Sequence, residues 1–298
     1  MATVETAKTQ YVVASGCKYA YRHLGPALEK STPIVFLQHF RGTIDHWDPS
    51  LINLIATEYP VILIDNAGVG HSEGVVPDTV AAMARNIEAV LEALKLREIY
   101  LYGFSLGGMV AQQVTLDTLS SGLVKKAMFV GTSPGEGPTT PAGTLELPSD
   151  VSGLQANSGA PEPKMENMRK LFFYDSTTSS AAAEKWWERI HRRSKETSGE
   201  ARAPYLPIGM NVLNMVKAGR SWDAGEGVLD RLHEINIPVF IGNGHKDFML
   251  PTSRSWLMNR ELPNSMLIIY PDSGHGAGFQ HAELHARHIL SFLKDGIP

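Results

Sequence analysis

The fold class predicted by this 298-residue sequence is α/β, a mainly parallel, doubly wound sheet interrupted by a mostly helical insertion. Three observations carry it. Strand-like runs alternate with helix-like ones in both outer parts of the chain. The inner strand runs are near-continuously apolar, as in a sheet covered on both faces. The alternation breaks once, from Pro134 to about Val228, where Gly/Pro-rich loops and separate helix-like pieces follow one another. Residues 1–133 and 229–298 are therefore expected to form the core, and 134–228 an inserted cap.

Taken in order, Tyr11–Ala14 and Lys18–His23 pair as a hairpin around Ser15-Gly16, and Ile34–Gln38 is a central strand. Asp48-Pro49 opens a helix, with a cap residue followed by a proline at its first position. Val61–Ile64 is the next strand and runs into the turn "DNAGVGHSEG", which Asp65, Gly68 and Gly70 shape. Thr79 caps a helix whose Val80, Met83, Ile87, Val90, Leu91 and Leu94 fall on one stripe. After strand Ile99–Tyr102 and helix Met109–Leu119 comes strand Ala127–Val130. Within the cap, Ala181–Arg192 reads as a helix carrying Trp186 and Trp187. Alternation resumes with strand Pro238–Ile241, helix Ser253–Leu262, strand Met266–Tyr270 and helix His281–Leu293.

Composition narrows the partners. The hydrophobic content of 43% suits a large buried core, and the net charge of −4 comes with dispersed Lys and Arg, which leaves no electrostatic footprint for nucleic acid. A small-molecule ligand fits better. The single cysteine, Cys17, permits no intrachain disulfide and reads as a small buried hydrophobe. No run approaches the length of a membrane span, and "MATVETAKTQ" holds no apolar signal core, so a cytoplasmic protein is expected.

Outside the "DNAGVGHSEG" turn, the pattern Gly-x-Ser-x-Gly occurs twice, at Gly103-Phe104-Ser105-Leu106-Gly107 and at Gly131-Thr132-Ser133-Pro134-Gly135. Chance alone supplies roughly 0.2 matches in such a chain, so context must choose between them. A nucleophilic serine needs a strand before it and a helix directly after it, with glycines that let the two backbones pass closely. Only Ser105 has both. The stretch after Ser133 is too rich in Gly and Pro for a helix. The residue after the nucleophile also donates its N–H to the developing oxyanion, which Leu106 can do and Pro134 cannot. Ser105 is the expected nucleophile, and Ser133 is read as a strand-end residue lining the pocket.

Parallel strands deliver side chains from their carboxyl ends to one crevice. After strand Pro238–Ile241 the loop "GNGHKDFMLP" offers Asp247, and after Met266–Tyr270 the loop "PDSGHGAGF" offers His275. His275 would take the Ser105 proton, and Asp247 would orient the ring. Asp247 also has a structural reading as a helix cap, for which Thr252 is better placed, and Glu136 is the rival acid. His245, His281, His285 and His288 are read as structural.

These motifs, in order, are similar to those of the α/β-hydrolase superfamily from about residue 10 to 295. "DNAGVGHSEG" resembles its Asp-x-x-Gly-x-Gly-x-Ser turn, "GHKDFMLP" its acid loop and "SGHG" its histidine loop. One departure stands out: where such proteins commonly carry His-Gly-x-x, this chain has Gln38-His39-Phe40-Arg41-Gly42. Counting back from Trp47 puts Phe40 at the position of the second oxyanion donor, beside Leu106. His39 and Arg41 then flank the site, where Arg41 meets either a substrate carboxylate or carbonyl, or a structural ion-pair partner. Trp186 and Trp187 serve either packing or substrate contact.

The resemblance implies a serine hydrolase, with esterase or lactonase foremost, acting on an ester, lactone or thioester of a small, largely apolar molecule through an acyl-enzyme on Ser105. No His-Glu-x-x-His, Walker loop or strand-borne Gly-x-Gly-x-x-Gly is present, so neither a metal nor a cofactor is expected. The superfamily also holds perhydrolases resembling cofactor-free haloperoxidases, carbon–carbon bond hydrolases, lyases and ligand-binding receptors, and these alternatives stay open.

Overall fold

Continuous apolar runs become fully buried strands in the computed structural model, which describes residues 1–141, 143–145, 164–206 and 209–296. The hairpin β1 (Gln10–Ala14) and β2 (Cys17–Leu24) turns at Ser15-Gly16, both with positive φ. The central strands β3 (Ile34–Leu37) and β4 (Val61–Ile64) bury every residue. β5 (Ile99–Phe104), β6 (Val124–Val130), β7 (Val239–Gly244) and β8 (Ser265–Tyr270) complete an eight-stranded sheet. Its order is β1-β2-β4-β3-β5-β6-β7-β8; β1 and β2 are antiparallel to their neighbours and the rest pair in parallel.

Helices cover both faces. α1 (Pro49–Ile55) starts where Asp48 accepts the N–H of Ser50, and α2 (Val80–Ala93) starts where Thr79 accepts that of Ala82. The stripe Val80, Met83, Ile87, Val90 and Leu91 is buried on one side of the sheet together with α3 (Leu106–Asp117). The Asp65 carboxyl accepts the N–H groups of Ile44 and His71 and so ties the "DNAGVGHSEG" turn to the chain after β3. Cys17 is only partly buried.

Between β6 and β7 the chain leaves the sheet. The described part of this insertion holds α4 (Met165–Phe172), α5 (Thr177–Ile190), α6 (Lys195–Ser198) and α7 (Met210–Ser221). Residues 146–163 of the expected cap lie outside the described residues. α5 begins four residues before the expected Ala181, because the Ser176 side chain accepts the N–H of Ser179 and caps it there. The chain then re-enters the sheet at β7, followed by α8 (Thr252–Glu261), β8, α9 (Ala277–Gln280) and α10 (Ala282–Asp295). Thr252 is no helix cap: Pro251 holds that position, and the Thr252 hydroxyl donates to the Gly244 carbonyl at 2.6 Å.

Buried charge anchors the insertion to the core. Asp45 pairs with Arg22 from β2 and with Arg193 after α5, and it accepts the N–H of Ala203. Burial pushes the Asp45 carboxyl up, but Arg22, the Ala203 N–H and Arg193 together outweigh it and hold the group below the usual carboxylate range. Asp48, already the cap of α1, takes a two-pronged bond from Arg189 of α5 at 2.8 and 2.6 Å. Removing one partner of such a buried pair costs about 3–5 kcal/mol.

Candidate active site

The turn from β5 into α3 positions Ser105 at φ 57°, ψ −121°, a conformation rarely tolerated outside glycine. Its surroundings hold it there. The Ser105 N–H donates to Val130, while its carbonyl accepts from Gly108, Met109 and the Thr132 hydroxyl. The crossing is too tight for side chains: a Cβ on Gly107 would lie 2.2 Å from the Leu37 carbonyl oxygen, and one on Gly103 2.3 Å from that of Gly107.

The loop after β8 brings His275 to this turn, with Nε2 2.9 Å from Ser105 Oγ. Its Nδ1 lies 2.8 Å from Asp247 Oδ2, delivered by the loop after β7. The other Asp247 oxygen accepts the N–H groups of Met249 and Leu250, which holds the carboxylate in place. Asp247 and His275 are 5% and 3% exposed, so these two groups are shielded from water, while Ser105 is partly exposed. Glu136 is engaged elsewhere, accepting the N–H of Gly143. Among the described residues, neither the Leu106 nor the Phe40 N–H donates a hydrogen bond. His39, after β3, places its ring near those of Phe104 and Phe172, at centroid distances of 5.6 and 4.9 Å.

Several expected neighbours are occupied otherwise. Ser133, expected to line the pocket, is fully buried, and its hydroxyl accepts from Gly135 and Arg254. The Pro134-Gly135 turn bends the hydroxyl back onto its own backbone. Arg41 is also buried, donates to the Leu206 carbonyl and stacks 4.2 Å over the Tyr205 ring, so it clasps the insertion through a carbonyl and a π face. Arg41 has φ 60°. Trp186 packs against Phe172, Phe173 and Phe279, and Trp187 against Trp186 and His191. Neither ring contacts a member of the relay.

The aromatic neighbours of His275 are instead Phe104, at 5.0 Å, and Phe172, at 5.9 Å and nearly parallel. Phe104 was available from sequence as the variable residue before the serine, whereas Phe172 depends on how α4 folds back. His285 lies apart, bonded to the hydroxyls of Tyr102 and Tyr270, and His288 joins the same Tyr270. His281 stacks on Tyr270, and the His245 N–H bonds the Tyr270 carbonyl. An open concavity lined by residues 28–33 and 94–98 sits at the amino-terminal ends of β3 and β5, away from the serine. No described helix is long and apolar enough to cross a membrane.

Comparison with known proteins agrees with this architecture. An alpha/beta hydrolase fold protein from Chitinophaga pinensis superposes with a TM-score of 0.84 at 30% identity, covering 98% of this chain and 99% of that one. The non-heme chloroperoxidase of Burkholderia pyrrocinia is 28% identical over 294 residues, 92% of this chain and 95% of its own. The 2-hydroxy-6-oxo-6-phenylhexa-2,4-dienoate hydrolase of Burkholderia cepacia is 25% identical over 250 residues, 81% and 79% of the two chains. With the alpha/beta hydrolase fold model matching residues 32–282, the chain belongs to the alpha/beta hydrolase family.

Proposed function

We propose that this chain is a serine hydrolase that cleaves an ester, lactone or thioester of a small, largely apolar molecule through an acyl-enzyme on Ser105. The observation that carries the reading is the unbroken relay from Asp247 Oδ2 through His275 to Ser105 Oγ, at 2.8 and 2.9 Å. In this reading His275 Nε2 takes the hydroxyl proton as Ser105 Oγ bonds to the carbonyl carbon. Asp247 steadies the imidazolium that results. The carbonyl oxygen becomes an oxyanion, received by the unused N–H groups of Leu106 and Phe40. His275 then returns the proton to the leaving oxygen or sulfur as its bond to carbon breaks. Water, deprotonated by the same imidazole, releases the acid and restores Ser105.

The insertion, residues 134–228, acts as the cap in this proposal. Its Phe172 ring lies against His275, and such cover excludes water from the reacting carbonyl. The test is a fluorophosphonate probe, expected to label Ser105 and to lose the label in Ser105→Ala. Labelling that persists in that variant sinks the assignment.

The names of the two curated relatives favour a second reading, in which the same serine or histidine serves a carbon–carbon bond hydrolysis or a peroxidase-type reaction. Turnover of a simple ester and lactone panel by the wild type supports hydrolysis. A labelled protein inert towards that whole panel supports the second reading.

A further inference from the structure

His39 carries an unused acceptor in the wall of the site. Its Nδ1 lies 2.9 Å from the Phe40 carbonyl oxygen. A carbonyl can only accept, so Nδ1 bears the proton and Nε2 is left with a bare lone pair. That Nε2 is buried and unpartnered among the described residues, in a side chain 2% exposed. His46 has the opposite tautomer. The Thr43 N–H donates to its Nδ1 at 2.9 Å, so the proton sits on Nε2, a donor.

The two rings meet edge to face with centroids 5.9 Å apart. Burial keeps both neutral: it pushes His39 down to about 3, with His275 adding to the effect against the bond to Phe40, and it lowers His46 well below the usual imidazole value. A lone acceptor beside a lone donor is thus set in an otherwise aromatic wall of Phe104, Phe172 and Tyr205. Phe104 and Phe172 also flank His275, and His39 adjoins Phe40 in the chain.

We infer that His39 and His46 form a hydroxyl-binding subsite, in which a substrate hydroxyl donates to His39 Nε2 and accepts from the N–H at His46 Nε2. The inference rests on the serine-hydrolase reading and narrows its substrate to esters or lactones that bear a hydroxyl on a carbon close to the scissile carbonyl. A substrate without that hydroxyl leaves the buried His39 Nε2 unpaired, the kind of loss by which polar sites discriminate strongly.

The test is calorimetric titration of the Ser105→Ala protein with methyl 3-hydroxybutyrate and with methyl butyrate. The hydroxy ester is expected to bind about tenfold more tightly, and His39→Phe in the same background to erase the difference. Equal affinities, as a permanently held water at the two rings would produce, overturn the inference. So does the absence of binding by either ester, or a preference that survives His39→Phe. Nitrogen-15 spectra of the unsubstituted protein give a readout independent of any variant. The His39 Nε2 resonance should move to lower frequency with the hydroxy ester and stay with the plain one; an unmoved resonance overturns the subsite. These readouts need no turnover. A protein that shows the preference without fluorophosphonate labelling at Ser105 fails the hydrolase reading alone, and a labelled protein without the preference fails this inference alone.

Discussion

Gly276 donates its N–H to the Phe172 carbonyl across 2.6 Å, which fastens the first described helix of the insertion to the residue that follows His275. The approach is close enough that a Cβ on Gly276 would lie 2.7 Å from that of Phe172. With the Phe172 ring also stacked on the imidazole, the insertion braces the proposed base. Phe172→Ala is therefore expected to slow labelling by a small fluorophosphonate about tenfold, through loss of orientation rather than of proton transfer. Trp187→Ala, whose ring pairs with those of Trp186 and His191, should leave that rate within about twofold. Equal slowing in the two variants, both folded by circular dichroism, would contradict the bracing.

The acid is tested by Asp247→Asn, which keeps the shape of the loop but presents the wrong partner to His275 Nδ1. On any ester that is turned over, kcat should fall by roughly 10³ to 10⁴. Glu136→Gln should change kcat by less than about twofold, since its carboxylate bonds only a loop N–H among the described residues. The reverse ranking would move the acid to the loop after β6.

How far the sequence carries can be seen at these same residues. Ser105, Asp247 and His275 were legible because each sits where a strand must end, and strand ends follow from apolar runs and the glycines after them. The sheet was legible for the same reason, down to the Asp48 and Thr79 caps. The insertion was legible as a mostly helical break in the alternation, but its packing was not. Its helices bury their faces against parts of the core far away in sequence, so the seat of Phe172 on His275 does not follow from local pattern. Arg41 shows the same limit. Its charge suggested a substrate carboxylate or carbonyl, or an ion-pair partner, whereas the fold sets it against the Leu206 carbonyl and the Tyr205 ring, which lie far along the chain.

Ser133 separates stability from chemistry. Its hydroxyl receives the Arg254 guanidinium at 3.0 Å and the Gly135 N–H at 3.1 Å, all buried. Ser133→Ala removes the acceptor of the Gly135 N–H, while Arg254 keeps its pair with Asp223, and should cost about 1–3 kcal/mol of unfolding free energy. The Ser105 labelling rate should stay within about tenfold, because Ser133 lies outside the relay. A loss of labelling as deep as that of Ser105→Ala, at unchanged stability, would overturn this division of roles.

The last prediction concerns acid. His285 is fully buried between the hydroxyls of Tyr102 and Tyr270, and burial pushes its folded-state value down to about 3, with His288 and His281 lowering it further. The unfolded chain titrates this group near the ordinary histidine value of about 6.5. Between these limits the unfolded state binds one more proton than the folded state. Stability therefore rises with pH across this window and is lost as pH falls below about 6.5, at a rate approaching 1.4 kcal/mol per pH unit for this one residue. Glutamine offers the two tyrosines a donor and an acceptor but no proton to bind. In urea titrations from about pH 4.5 to 6, His285→Gln should thus show a stability slope shallower than wild type by about one proton. The slope should not vanish, since burial also pushes His39 down to about 3. Parallel slopes for the two proteins would mean that His285 is protonated in the folded state, and the neutral network with Tyr102 and Tyr270 would have to be abandoned.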